Sequence, residues 1–106
     1  MSFFHIAIIK NHSELVAEYI LRKHKLFKVM KALVKRAKKS GKIAYKYKDK
    51  VMINLLKKED IIVLGVTTIE YPMKKTFHCL EAVISLYSLN YSKLEKLTQK
   101  VKNELE

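Results

Sequence analysis

Cysteine and proline each occur once in these 106 residues, and glycine twice. A lone Cys79 leaves no internal disulfide framework, no Cys/His spacing matches a zinc site, and Cys79 itself reads as a small buried hydrophobe. With Gly41 and Gly65 alone, neither a glycine-rich phosphate loop nor a dinucleotide fingerprint can be written. Arginine is scarce too, since only Arg22 and Arg36 stand among 22 basic residues. Bidentate reading of phosphates and bases favours arginine forks, so a lysine surface points to solvation or diffuse electrostatics. No apolar run approaches the roughly 18 to 20 residues of a membrane span, and no signal-peptide pattern is present. These absences predict a soluble, intracellular chain with no cofactor.

What is present is charge and enough apolar residue to fold. The formal charge is +12, which attracts nucleic acid, anionic membrane or acidic protein without choosing among them. Apolar residues make up 49% and charged residues 30%, outside the composition of disorder, and the length suits one domain over residues 1–106.

The organising stretch runs from Asp60 to Tyr87. Its opening, Ile61 to Thr67, is an apolar run rich in β-branched residues, as expected of a central strand buried on both faces. Tyr71-Pro72 then marks a helix start, and Phe77, Leu80, Ile84 and Tyr87 give a stripe that should fold back on that strand. Upstream, Phe3–Ile9 and Leu15–Ile20 flank a polar turn and predict a hairpin, with His5 at a partly wet strand position and His12 in the turn. Leu26, Phe27, Met30, Leu33, Val34 and Ala37 share one face of an amphipathic helix ending near Ser40, with Gly41 as its cap. The opposite face carries Lys28, Lys31, Lys35, Arg36, Lys38 and Lys39. Ile43–Tyr47 and Val51–Leu56 predict a second hairpin, in which Ile43, Tyr45 and Tyr47 alternate with Ala44, Lys46 and Lys48. Tyrosines among lysines suit either a core edge or a stacking platform for single-stranded nucleic acid. Ser92-Lys93-Leu94-Glu95 matches a capping box and predicts a third helix bearing Leu94, Leu97, Val101 and Leu105.

The order is β-β-α-β-β-β-α-α, which predicts an α+β fold: a five-stranded antiparallel sheet between one helix and two. In this order the run Ile43-Ala44-Tyr45, Val51 to Leu56, Glu59 to Thr67, Tyr71-Pro72 and Phe77-His78-Cys79-Leu80 resembles the longin domain. Longins are the profilin-like N-terminal modules of certain R-SNAREs and related vesicle-trafficking proteins. The likeness covers nearly the whole chain, although Thr68 and Glu70 stand in a turn where longins usually carry an aspartate. No SNARE heptads, membrane span or prenylation box appear in the sequence, so the likeness does not extend to fusion itself.

The resemblance implies a cytoplasmic binding domain, peripheral at the cytosolic face of endomembranes, and no enzyme. Its expected partner is a SNARE motif or another trafficking protein, held where the first helix meets the third strand, at Leu26, Phe27, Met30, Leu33, Val34, Ile43, Tyr45 and Tyr47. A stand-alone longin serving as scaffold for a small GTPase, and a basic nucleic-acid module, are the alternatives. The lysines at the border favour an acidic amphipathic segment, helped by an anionic membrane. His5, His12, His24, His78 and Cys79 show no spacing that implies a catalytic dyad.

Overall fold

Backbone hydrogen bonding joins the strands of the chain into one antiparallel sheet in the computed structural model, which describes residues 3–20 and 25–89. The strands are β1 (Phe3–Lys10), β2 (Glu14–Ile20), β3 (Gly41–Tyr47), β4 (Val51–Lys58) and β5 (Ile61–Thr68). Helix α1 (Phe27–Arg36) lies between β2 and β3, and α2 (Met73–Leu89) follows β5. The sheet order is β2-β1-β5-β4-β3, so the apolar run from Ile61 is the central strand, and Ile62, Val63, Leu64 and Val66 are fully buried.

Alternation along the strands builds two cores. Ala7, Ile53, Leu55, Ile62, Leu64 and Val66 face α1, whereas Ile6, Ile8, Leu56, Ile61 and Val63 face α2. The two helices therefore cover opposite faces. The sequence-predicted third helix lies outside the described residues.

The β1–β2 and β3–β4 hairpins turn through paired left-handed residues. Asn11 and His12 have φ of 53° and 63°, and the Ser13 N–H donates to the Lys10 carbonyl at 3.3 Å. Lys48 and Asp49 repeat this with φ of 49° and 59°, and the Lys50 N–H donates to the Tyr47 carbonyl at 3.3 Å. Two successive positive φ values match the right-handed twist of the flanking strands, the geometry of a type I′ turn. Asn11 also donates its N–H to the Asp60 carbonyl at 2.9 Å, tying the first hairpin turn to the β4–β5 turn.

Helix α1 has neither an acidic first turn nor a side-chain N-cap, so packing holds it. Met30, Leu33 and Val34 are buried beneath it, each contributing about 1.5 to 3 kcal/mol of hydrophobic stabilisation. It ends at Arg36, a turn earlier than the pattern predicts, because Ala37 is the last residue with apolar surface to bury and Lys38, Lys39 and Ser40 are exposed. Its end is secured from β4: the half-sheltered Lys57 ammonium donates to the Lys38 carbonyl at 3.4 Å, placing positive charge at the negative end of the helix dipole. Gly41 is not a cap. It opens β3 at φ 149°, a backbone angle that side-chain-bearing residues avoid.

Helix α2 begins as the Tyr71-Pro72 pair predicts. The Pro72 carbonyl accepts from the Thr76 N–H at 3.1 Å and from its hydroxyl at 3.3 Å. Phe77, Leu80, Val83 and Ile84 pack on β4 and β5, and Cys79 is buried beside them. Asn54, also buried on this face, donates from Nδ2 to the Gly65 carbonyl at 3.3 Å and to Thr67 Oγ1 at 3.4 Å.

Candidate functional site

Helix α1 leaves the β1–β2 side of its sheet face open, and a cleft of about 330 Å³ remains there. Its helical wall is Phe27, Met30, Lys31, Val34 and Lys35, spaced three, one, three and one residues apart, which is one face of a helix. Its floor is His5, Ala7 and Ile9, alternate residues of β1, with Leu64 of β5. Ala7 is the reason the space exists: the flanking Ile6 and Ile8 fill the opposite core, and a methyl group is all that β1 offers here. Leu15 and Glu18 of β2 form the outer rim.

One end of the cleft is polar beneath an aromatic lid. His5, expected at a partly wet position, is 1% exposed, because Phe27 lies edge-on to its ring at 5.6 Å and Glu18 covers Nε2. The Glu18 carboxylate stands 3.0 Å from Nε2. Burial holds His5 below the ordinary histidine value and outweighs the hydrogen bond and charge of Glu18, which pull it up. At neutral pH the ring is therefore uncharged and donates to the carboxylate. At the other end, His12 Nε2–H donates to the Ala37 carbonyl at 2.8 Å, joining the hairpin turn to the end of α1.

The partner-binding residues expected from sequence divide into three groups. Leu26, Met30, Leu33 and Val34 are buried core, of which Met30 and Val34 also line the cleft. Ile43 and Tyr47 are half-buried against the same core. Only Phe27 and Tyr45 are well exposed, at 46% and 40%, and they do not share one groove: Phe27 faces His5 on β1 while Tyr45 stands on the edge strand β3. The basic residues Lys28, Lys31, Lys35, Arg36, Lys38, Lys39, Lys46 and Lys48 are all exposed. Lys46 pairs with Asp49 at 2.9 Å, and the Lys48 ammonium sits 5.3 Å from the centre of the Tyr47 ring.

Sequence reasoning missed Leu15, Glu18 and the place of His5 in the cleft. A signal was present in Leu15, an apolar residue at an edge strand's start, which is 54% exposed. Among the described residues no cluster of three or more His, Cys, Asp or Glu could hold a metal ion. Tyr71, beside Cys79 at the foot of α2, has its hydroxyl pushed up by burial and by that thiol. No helix among the described residues is long and apolar enough to cross a membrane. What the α1 cleft offers chemically is an apolar trough with exposed Phe27 and Leu15 at its mouth and two lysines on its helical wall. No protein-family model and no curated protein sequence matches the chain.

Proposed function

We propose that this chain is a longin-type protein-interaction domain of vesicle-mediated membrane trafficking, acting at the cytosolic face of endomembranes and capturing an acidic amphipathic segment of a SNARE or other trafficking protein. The α1 cleft is the observation that carries this reading, because it sets exposed Phe27 and Leu15 beside Lys31 and Lys35. The strand order β2-β1-β5-β4-β3 with a helix on each face supports the same assignment. Fold analogy alone does not assign function, so the argument rests on the cleft. An amphipathic helix would lay its apolar side on Phe27 and Leu15 and set its carboxylates against the two lysines. The core positions beneath, Leu26, Leu33 and the buried side of Met30, hold α1 in place and are not the contact.

The test uses a fluorescent synthetic helix with leucines on one face and glutamates on the other, read by anisotropy. Binding should weaken by tenfold or more, about 1.4 kcal/mol, in Phe27→Asp and in Leu15→Asp, both at solvent-exposed positions. Equal affinity in folded variants would refute the cleft reading. A single-stranded oligonucleotide that binds more tightly than the helix, with a steep salt slope, would replace it with nucleic-acid binding.

A further inference from the structure

The opposite side of the molecule carries a second surface of different geometry. Helix α2 packs over β4 and β5 and stops short of β3, so Lys42, Ala44 and Lys46, which face that way, are exposed. Between β3 and the helix runs a groove of about 570 Å³ lined by Lys42, Ala44, Met73, Phe77, His78 and Glu81. Met73 is 50% exposed at its mouth. β3 is also the last strand of the sheet, and its outer edge has no neighbouring strand among the described residues. An unpaired edge is a template for another strand, and an edge beside a helix-walled groove offers pockets for alternate side chains of that strand.

Charge selects the occupant. Residues 41–50 hold four lysines and one aspartate, and Lys74 stands on the facing helix. The acids nearby are already matched, Glu81 with Lys42 at 3.4 Å and Asp49 with Lys46 at 2.9 Å, in exposed pairs that a denser acidic ligand displaces at little cost. A second copy of the chain would bring its own net charge of +12 to this edge and be repelled. We propose that β3 takes an extended acidic segment of another protein as a sixth strand, with alternate apolar side chains seated in the groove against Met73 and Phe77. This surface lies across the sheet from the α1 cleft and takes a strand where the cleft takes a helix.

The probe is a capped synthetic peptide of alternating valine and glutamate, about nine residues long, enough to span the strand. Titrated into the isotopically labelled chain, it should shift backbone resonances along Gly41–Tyr47 and the first half of α2, and slow amide exchange in β3. Two further peptides, N-methylated at the odd or the even positions, separate strand pairing from charge attraction. One of the two should bind at least about tenfold more weakly than the parent, because one edge of the added strand must hydrogen-bond to β3. The double variant Lys42→Glu, Lys46→Glu should bind more weakly as well: Lys42 and Lys46 share the groove face with the valines, so the glutamates on the opposite face feel the two reversals as a lower charge along the edge. Full binding by both methylated peptides, full binding to the double variant, or shifts confined to Phe27 and Leu15 would each overturn the proposal. So would β3 shifts that grow with protein concentration in the absence of peptide, which would assign the edge to a second copy. Phe27 and Leu15 report the cleft separately, so either surface can fail alone.

Discussion

Acidification should weaken this protein through His5 in a way one substitution removes. Unfolded, the side chain takes up a proton near pH 6.5; folded, burial at 1% exposure keeps the ring neutral to lower pH even with Glu18 at 3.0 Å. Between the two values the unfolded chain holds the extra proton, so folding is progressively disfavoured as pH falls, by at most about 1.4 kcal/mol per pH unit for one proton. Above the unfolded value both states are neutral and nothing is lost; below the folded value both are charged and the loss levels off. His5→Gln keeps an amide donor on β1 but cannot titrate. Urea unfolding of both proteins at pH 7.5, 6.5 and 5.5 should give curves that diverge below about pH 6.5, with wild type losing more. Parallel curves would refute the assignment. Glu18→Gln sharpens the test: it removes what pulls the His5 value up, so the acid-dependent loss should grow. A loss no larger than that of wild type would mean that Glu18 does not pull the value of the ring up.

Other perturbations separate core, mouth and backbone. Leu64→Ala, at a fully buried position of the central strand, should cost about 2 to 5 kcal/mol in chemical unfolding, whereas Leu15→Ala at 54% exposure should stay within about 0.5 kcal/mol while weakening the helical ligand. Gly41→Ala should cost about 1 to 3 kcal/mol from backbone strain alone, because an added Cβ meets nothing within 4 Å at φ 149°. Gly41→Ser should therefore cost about the same, and a much larger loss for serine would point to a clash instead. Lys48→Asn with Asp49→Gly should raise the unfolding midpoint, worth about 1 kcal/mol, since both residues hold positive φ that Asn-Gly adopts more readily.

Much of this architecture could be read from residue pattern because the pattern and the fold obey the same periods. The unbroken run at Ile61 had to be central, and alternation at Ile43, Tyr45 and Tyr47 marked a strand with one apolar face. Tyr71-Pro72 fixed the start of α2 within a residue. The end of α1 was misjudged because lysines that extend a helical pattern on paper bury nothing, and Gly41 resembles a cap until its place in β3 is known. The site was harder still. A helical stripe shows which residues face inward, but not which part of a sheet the helix covers. Here α1 leaves a cleft above Ala7 and Leu15, and no spacing within Leu26–Val34 encodes that offset. Leu26, Met30, Leu33 and Val34 were expected at a contact surface and are mainly the helix's footing.

The place of β5 between β1 and β4 also bears on how the chain leaves the ribosome. The β3-β4-β5 meander closes through short turns as soon as it emerges, but β1 pairs with β5 across the intervening chain, Lys10 with Ile61 and Ile8 with Val63. About 50 further residues must be synthesised before that partner exists, several seconds at ordinary elongation rates. Over that interval the N-terminal hairpin has one paired edge and one open one, carrying Ile6 and Ile8 with no core to enter. Until β5 is made, that open edge is free to be held by a nascent-chain chaperone.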